Sequence, residues 1–415
     1  MQNIRDDAKL MIKNIIDDNM PCTAVTNALK AHEFCENLYM VAIGKAAWTM
    51  AKAACDFLGS RLKKGIAITK YEHSMGDLPN CAVYEAGHPV ADENTIAATA
   101  KAVELVSELG EGDEVLFLVS GGGSALFEKP LEGITLEGIA SVTNELLASG
   151  ADIVEMNMIR KRLSAVKAGR FAQMAAPAKI FSIILSDVLG DRLDSIASGP
   201  AVPDNSTSED AMKVAKKYGL KLTELQSKYL AKETPKEICN VKIEITGSVR
   251  TLCESAAKTA KQLGYTPYVL STTINCEARE AGRFMAQIAE DTKAGRNSFA
   301  SPCAIIAGGE TVVTLRGNGK GGRNQEIALA AAKGISNLDG TLIFSLGSDG
   351  TDGPTDAAGG LVCGGTLGKL KKAGIDVDKS LADIDSYNAL KTADGLIVTG
   401  PTGTNVNDVT VILCR

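Results

Sequence analysis

The chain has 415 residues, of which 45% are hydrophobic, so it is long enough for two or three domains with buried cores. Its net charge of −6 and its 4% aromatic content exclude the basic footprint and the stacking surface of a nucleic-acid-binding protein. Ten dispersed cysteines without a C-x-x-C pair predict a reducing, cytoplasmic compartment, and no apolar run predicts a signal peptide or a membrane span.

The first half of the chain alternates apolar strands with helical patterns. An amphipathic helix is predicted near residues 4–16. Strands are then predicted at 38–43, 65–69, 81–85, 115–119 and 180–185, with helices at 46–58 and 94–109 and through much of 131–170. This alternation predicts β-α-β crossovers, and therefore a parallel sheet covered by helices.

The region from about 205 to 236 is helical and charged, and it has the weakest core signal in the sequence. We expect the domain linker there. A second series follows, with strands at 241–245, 267–271, 303–307, 311–315 and 341–346, and helices at 249–264, 277–289 and 325–332. The sequence therefore predicts two α/β domains, residues 1–235 and residues 236–415.

Two candidate anion-binding groups follow strands of the first domain. Lys45 comes after the strand at 38–43, and the segment SGGGS comes after the strand at 115–119. Ligands of open α/β sheets bind at the carboxyl ends of strands. Three glycines also leave the backbone free to turn its N–H groups inward. Lys45 and the loop of Ser120, Gly121, Gly122, Gly123 and Ser124 are therefore predicted to bind phosphate or carboxylate, with a surface lysine and a mobile turn as the simpler alternatives.

Two groups of aspartates also follow buried strands. Asp187, Asp191 and Asp194 come after the strand at 180–185, and Asp349, Asp352 and Asp356 come after the strand at 341–346. Such carboxylates are suited to Mg²⁺ or to accepting a hydroxyl proton, although helix capping and turn formation explain some of them. We expect Asp187, Asp349 and Asp352 to bind metal and Asp191 to act in catalysis; the sequence does not determine how these roles are divided.

A glycine cluster with two cations, GNGKGGRNQE, lies between the predicted strand at 311–315 and the helix at 325–332. The amides at a helix N-terminus favour anions. We therefore predict that Arg323 contacts a phosphoryl group here. Phosphate is predicted to be bound by a set of neighbouring residues: Gly319, Lys320, Gly321, Gly322 and Asn324.

The same cluster matches the dinucleotide fingerprint G-x-G-x-x-G at Gly317, Gly319 and Gly322. Two cations fit a terminal phosphoryl group better than an internal pyrophosphate. The next candidate for the ribose-binding acid, Asp349, lies 27 residues past Gly322, where about 20 is typical. A nicotinamide cofactor is therefore the weaker interpretation.

Seven motifs in this order resemble the two-domain glycerate 2-kinases of bacteria and animals, the MOFRL family: VAIGKAAWTMA, GHPVADENT, VSGGGSALF, NMIRKRLSAVKAGR, SDVLGDRLDSIASGP, GGETVVTLRGNGKGGRNQE and GSDGTDGPTDAAGG. The resemblance covers about residues 5–412. It implies a Rossmann-like amino-terminal domain, a smaller mixed α/β carboxyl-terminal domain and a catalytic cleft between them. It also implies phosphate transfer from ATP to the 2-hydroxyl of D-glycerate, with Lys45 and Arg323 important for catalysis.

Three functions remain open from the sequence. The first is the glycerate 2-kinase, with ATP and Mg²⁺ as cofactors. The second is an NAD(P)H-dependent hydroxypyruvate reductase, a label that some family members carry. The third is a non-catalytic sensor of sugar acids or nucleotides, which the clustered acids and cations disfavour. The expected partners are glycerate and ATP, without nucleic acid or membrane; the sequence allows a homo-oligomer and determines neither the oligomeric state nor the stereochemistry at glycerate.

Overall fold

A computed structural model describes residues 3–415, which divide into two compact units. The central unit is Ala24–Thr246, and the terminal unit joins Met1–Thr23 to Gly247–Arg415. The helices are α1 (Ile4–Asp18), α2 (Pro21–Lys30), α3 (Ala47–Leu58), α4 (Glu93–Ser107), α5 (Gly123–Leu126), α6 (Leu136–Ala148), α7 (Ile153–Leu163), α8 (Arg170–Ala175), α9 (Ser208–Lys217), α10 (Glu224–Leu230), α11 (Val249–Gln262), α12 (Ala278–Lys293), α13 (Arg323–Gly334), α14 (Thr366–Lys372), α15 (Val377–Ala382) and α16 (Ser386–Thr392). The strands are β1 (Asn37–Ile43), β2 (Leu62–Lys70), β3 (Cys81–Ala86), β4 (Asp113–Val119), β5 (Lys179–Leu185), β6 (Val241–Gly247), β7 (Thr266–Ile274), β8 (Cys303–Gly309), β9 (Thr341–Gly347), β10 (Gly359–Cys363), β11 (Leu396–Ile397) and β12 (Asp408–Cys414).

The central unit is built on a six-stranded sheet in the order β3-β2-β1-β4-β5-β6. Strands β1 to β5 pair in parallel, and their runs of buried residues are typical of strands covered on both faces. This strand order is that of the Rossmann fold, so the prediction of a Rossmann-like parallel sheet is confirmed. The core on the sheet includes Phe117 and Phe171, whose rings lie 4.7 Å apart.

A second core of the central unit lies among α6, α7, α9 and α10. It contains Leu146, Ile159, Leu163, Val214 and Leu230. The charged region at 205–236, which we expected to be a linker, is therefore part of a packed helical layer. Its charges lie on the outer faces of α9 and α10, and the few apolar residues of these helices point inward.

The terminal unit has a mixed sheet in the order β11-β10-β9-β12-β8-β7. Strands β7 and β8 are parallel, whereas β8–β12, β12–β9, β9–β10 and β10–β11 are antiparallel pairs. The predicted amphipathic helix is α1, which buries Ala8, Met11 and Ile15 and packs against α11. The two α/β architectures predicted from the sequence are thus confirmed. Within residues 3–415, no helix combines the length and apolarity required to cross a membrane.

The division into units differs from the expected boundary at 235/236 in two respects. Strand β6 completes the sheet of the central unit, and α1 belongs to the terminal unit although it is the first helix of the chain. The predicted strand at 311–315 is also wrong: only Val312 forms an isolated bridge, to Glu277, and Leu315 is 83% exposed. Strand β8 is already paired with β7 on one side and with β12 on the other. The segment that follows β8 therefore has no free strand edge next to β8 with which to pair.

Candidate active site

The carboxyl ends of β1 and β4 bring Lys45 and the SGGGS loop together. These strands are adjacent, and their register runs from Asn37↔Asp113 to Ile43↔Val119, so they end at the same level. The chain order reverses between them, and ligands of open α/β sheets bind at such a switch point. The backbone N–H of Lys45 donates to the Gly121 carbonyl at 2.8 Å. The structure therefore places two sequence-predicted groups side by side at the edge where a ligand is expected.

The SGGGS loop presents a run of backbone amides. In the described chain, no acceptor is bonded to the N–H groups of Gly121, Gly122, Gly123 or Ser124. Gly122 has a φ of 84°, which a side chain would disfavour. The Ser120 hydroxyl is instead used within the protein, since it accepts from the Ala46 N–H at 3.0 Å and donates to the Ile43 carbonyl at 3.2 Å. Ser120 thus ties β4 to the turn after β1, and the anion-binding potential lies in the glycines and Ser124.

His88 lies beside Lys45 at this loop. A Cβ on Gly122 would stand 3.0 Å from the His88 ring and 3.2 Å from Lys45 Cγ, so the glycine lets both side chains approach. Burial, together with the positive charges of Lys45, Lys70 and His73, lowers the pKa of His88. Its imidazole is therefore neutral at pH 7, and can donate or accept a hydrogen bond. His88 was not predicted from the sequence; its position in the motif GHPVADENT was the available signal.

The aspartates after β5 separate into three environments. Asp187 lies against the SGGGS loop, because a Cβ on Gly121 would overlap its carboxylate. Asp191 lies in a turn closed by its N–H on the Val188 carbonyl, with an uncommon φ of 51°. Asp194 pairs with Lys161 at 3.5 Å and with Arg192 at 3.3 Å. Of the three, Asp187 is the one that the structure brings to Lys45 and the glycine loop.

In the terminal unit, Arg323 is held by two carboxylates. Its Nε and one terminal nitrogen donate to Asp408 at 2.5 and 3.1 Å, and its other terminal nitrogen donates to Glu310 at 3.0 Å. Burial raises the pKa of Asp408 to about 6, although Arg323 opposes that shift. Asp408, which was not predicted from the sequence, thus positions the predicted catalytic arginine, one-third of whose side chain is exposed.

The N-terminus of α13 already has an anion of its own. The Asp352 carboxylate accepts from the Asn324 N–H at 3.2 Å and from the Gln325 N–H at 2.8 Å. Asn324 is only 1% exposed, and its side-chain oxygen accepts from Ser345 at 2.6 Å. We predicted Asp352 as a metal ligand and Asn324 as a phosphate ligand; the structure instead gives both of them partners within the protein.

The glycines before α13 allow the backbone to pack closely. A Cβ on Gly317 or Gly319 would overlap the Asp383 carbonyl, and one on Gly321 or Gly322 would overlap Ser386 or Asp352. The Gly319 N–H donates to the Asp383 carbonyl at 2.8 Å, and the Lys320 N–H donates to Asp385 at 3.2 Å. These two amides are therefore committed to the protein, whereas the N–H groups of Gly321, Gly322 and Arg323 have no acceptor in the described chain. The loop thus offers a ligand these three amides and the exposed ammonium of Lys320, which lies 4.3 Å from the Tyr387 ring centre.

The remaining acids of the terminal unit do not form a metal site with Asp352. Asp349 accepts from the Thr351 N–H at 2.9 Å, and Asp356 accepts from the Tyr387 hydroxyl at 2.8 Å. Across residues 3–415, no cluster of three or more His, Cys, Asp or Glu side chains has metal-binding geometry.

Cavity size alone does not locate the site. A cavity of about 640 Å³ lies between α1 and the segment at 394–402 of the terminal unit. None of the predicted site residues lines it. The candidate site is defined by charges and open amides.

Two family models match the chain. Residues 7–231 match a domain of unknown function, DUF4147, and residues 303–408 match the MOFRL family. The D-glycerate 2-kinase of Thermotoga maritima is 52% identical, over 97% of this chain and 96% of the relative. The glycerate 2-kinase of Pyrococcus horikoshii is 42% identical, over 99% and 97%. The chain belongs to the glycerate 2-kinase family.

The three-dimensional comparison agrees with this membership. The crystal structure of a Thermotoga maritima glycerate kinase superposes with a TM-score of 0.96 at 51% identity, covering 99% of each chain. Two relatives from Agrobacterium vitis, 41% and 38% identical, carry the provisional name hydroxypyruvate reductase. Within the glycerate 2-kinase family, Lys45 and the SGGGS loop fall in the DUF4147 match, and Arg323 and Asp408 in the MOFRL match.

Proposed function

We propose that this chain transfers phosphate from ATP to the 2-hydroxyl of D-glycerate, giving 2-phospho-D-glycerate and ADP. The observation that carries the proposal is the meeting of Lys45 with four open amides at the switch point of the central sheet, in a chain 52% identical to a D-glycerate 2-kinase. A cation and preorganised amides favour phosphate and carboxylate, the groups that the two substrates carry. The ten free cysteines fit a reducing cytoplasm.

Phosphoryl transfer depends mainly on alignment and on positive charge near the transferring group. The glycerate 2-hydroxyl oxygen attacks the γ-phosphorus, and the bond from this phosphorus to the leaving oxygen of ADP breaks. The hydroxyl proton passes to a carboxylate, for which we propose Asp191. Lys45, Lys320 and Arg323 are the proposed sources of positive charge.

Mg²⁺ would accompany the phosphates of ATP and neutralise part of their charge. Magnesium in such sites commonly keeps several waters and uses one or two protein carboxylates. Asp187 fits this role because it lies against the SGGGS loop. Asp349 is a second candidate, whereas Asp352 does not fit, since amides of α13 occupy both of its oxygens.

The reductase alternative has less support from the geometry. A dinucleotide turn needs free amides at the N-terminus of the helix that follows the glycines, and a strand before them. At α13 the Asp352 carboxylate holds two of these amides, and the preceding segment at 311–315 is not a strand. The fingerprint formed by Gly317, Gly319 and Gly322 is thus better explained by close packing on Asp383.

A pair of assays tests the proposed activity. The purified protein receives D-glycerate with Mg-ATP while ADP is measured, and receives hydroxypyruvate with NADH or NADPH while absorbance at the nicotinamide band is followed. We expect ADP formation that requires glycerate, and no oxidation of the nicotinamide. Nicotinamide oxidation without ADP formation would reverse the assignment.

A substitution connects that activity to the site. Lys45→Ala should lower kcat roughly a hundredfold or more, because losing a group aimed at transition-state charge costs about 3 kcal/mol. The melting temperature should stay near that of the wild type. Lys63→Ala, at an exposed position of β2, is the control and should retain full activity. A Lys45→Ala enzyme with normal turnover would remove Lys45 from the mechanism.

A further inference from the structure

Three arginines of one segment, Arg160, Arg162 and Arg170, differ in how their guanidinium groups are satisfied. Arg162 donates to the Met158 carbonyl at 3.0 Å and to Ser206 at 2.9 Å, and it pairs with Asp204 at 3.4 Å. Arg170 donates to the Lys161 and Ser164 carbonyls at 2.6 and 2.9 Å. The Nε atoms of Arg160 and Arg162 are both buried without a partner, but in the described chain Arg160 alone of the three makes no hydrogen bond and no ion pair within 4 Å through any nitrogen. Since a guanidinium has five donors, the unpartnered state of one among three neighbouring arginines needs an explanation.

The surroundings of Arg160 contain more positive than negative charge. The opposing charge that acts on it is that of Glu128, which is 2% exposed and is already paired with the buried ammonium of Lys167. Lys167 also donates to the Ser124 carbonyl at 2.7 Å. Two cations therefore share one carboxylate directly behind the SGGGS loop. Burying an uncompensated charge is costly, so this arrangement favours a bound anion.

A chain of polar contacts leads from the loop to Asn157, a residue of the helix that carries Arg160. The Ser124 hydroxyl lies 3.0 Å from the Ser198 hydroxyl, which donates to the Asn157 side-chain oxygen at 3.4 Å. Asn157 and Arg160 are three residues apart on α7 and share a face of that helix. Ser198 has a φ of 60°, an uncommon conformation for a residue with a side chain. Ser124, Ser198 and Asn157 thus form one polar cluster of the central unit, and Arg160 lies one helical turn from Asn157 on the same face of α7.

We propose that Arg160 binds the carboxylate of glycerate and so determines the specificity for a 2-hydroxy acid; this inference rests on the proposed kinase function. A planar guanidinium can donate two parallel hydrogen bonds to a carboxylate, which gives both affinity and orientation. In this arrangement the hydroxyls of Ser124 and Ser198, which lie 3.0 Å apart, would contact the hydroxyl groups of the substrate. Lys45, beside Gly122, is left for the phosphoryl group.

Steady-state kinetics of Arg160→Gln and Arg160→Lys tests the proposal. We expect the KM for glycerate to rise roughly 10- to 100-fold in Arg160→Gln, the range for losing a hydrogen bond between charged partners, and less in Arg160→Lys, which keeps the charge. The KM for ATP should change less than about threefold, the spread of context effects, because the proposal assigns Arg160 to the carboxylate of glycerate and not to the nucleotide. Arg250→Gln, an exposed position on α11, serves as the matched control and should keep both constants.

Other outcomes contradict the carboxylate site. A higher KM for ATP with an unchanged KM for glycerate would assign Arg160 to phosphate, and unchanged values for both would make it structural. If Arg160→Gln fails to fold, the KM values of Arg160→Lys for glycerate and for ATP are compared with those of the wild type instead.

Calorimetric binding of glycerate without ATP separates this inference from the kinase function itself. Wild-type protein should bind glycerate, and should not bind glycerol, which has the hydroxyls but no carboxylate. Arg160→Gln should lose most of that binding. If the wild type formed no ADP but bound glycerate, and Arg160→Gln lost that binding, the kinase function would be wrong and the carboxylate site would still hold. If Arg160→Gln bound glycerate as well as the wild type does, the carboxylate site would be wrong.

Discussion

Arg323 illustrates how one side chain can serve stability and catalysis together. Its pairing with Asp408 means that Arg323→Ala would leave a carboxylate that is only 7% exposed without its counter-charge. Breaking a buried pair in this way costs about 3–5 kcal/mol. We therefore expect Arg323→Ala to lower both kcat and the free energy of unfolding measured in urea, whereas Lys45→Ala should lower kcat alone.

The double variant Arg323→Ala/Asp408→Asn separates the two effects. Replacing the carboxylate with an amide removes the buried charge, so most of the lost stability should return while kcat stays low. Full stability of the single Arg323→Ala variant would show that Asp408 does not depend on this partner.

Glu326 predicts a pH dependence of stability. It is fully buried on α13, both of its oxygens lack a hydrogen-bond partner, and burial raises its pKa to about 7. Because the folded-state pKa lies above the unfolded value near 4.5, the folded protein binds the extra proton. Stability therefore falls as the pH rises from about 4.5 to 7, by at most about 3 kcal/mol from this group.

Melting curves of Glu326→Gln at pH 5 and pH 8 check this expectation. The variant should have the melting temperature of the wild type at pH 5 and a higher one at pH 8. This holds although Arg279, whose Nε lies 3.6 Å from a Glu326 carboxylate oxygen, then keeps only Glu277 as a carboxylate partner. Glu280→Gln, an exposed position on α12, should change neither value. Equal melting temperatures of the wild type and Glu326→Gln at pH 8 would contradict the raised pKa.

At the scale of elements, features that depend on residues close together in the sequence could be predicted, and features that depend on distant residues could not. The strand, turn and helix around Lys45 could be predicted because apolar periodicity and glycine content are local signals. The cap of α13 by Asp352 and the pairing of Arg323 with Asp408 join residues 28 and 85 positions apart, so no local pattern reports them. Arg160 could not be distinguished from Arg162 and Arg170 because its distinction is the absence of a partner.

The glycine loop before α13 gives the prediction for this scale. Gly317→Ala should destabilise the protein by about 1–3 kcal/mol, because the added methyl overlaps the Asp383 backbone. Gly368→Ala, in α14 with nothing within 4 Å of the new methyl, should be neutral or stabilising by up to about 1 kcal/mol. Urea unfolding measures both. If Gly317→Ala kept its stability and lost only affinity for ATP, the result would show that the glycine is required for a ligand to approach the loop and not for packing on Asp383.

At the scale of the whole molecule, the terminal unit combines segments from both ends of the chain, whereas the central unit is continuous, and sequence order conceals this division. Helix α1 is the first element, yet its apolar face packs on α11, and its buried Asp7 bonds to Tyr265 at 2.6 Å and pairs with Arg415 at 2.7 Å. Strand β6 follows a charged helical region and still belongs to the first sheet. Patterns of apolar residues identify both elements as secondary structure, but the partner of each one depends on contacts more than 50 residues away.

This division predicts which fragments can fold. A fragment of residues 20–247 keeps α2 and β6 whole and contains the central sheet with its helical layer, so it should be monomeric and unfold cooperatively. A matched fragment of residues 20–235 lacks β6, which leaves the edge of β5 unpaired and uncovers the apolar residues that Ile243 and Ile245 pack against. Unpaired apolar edges promote association, so the shorter fragment should aggregate or melt without a cooperative transition. Size-exclusion chromatography and calorimetry distinguish the two. Equal behaviour of the fragments would place the end of the central unit before residue 236, where the amino-acid sequence alone had put it.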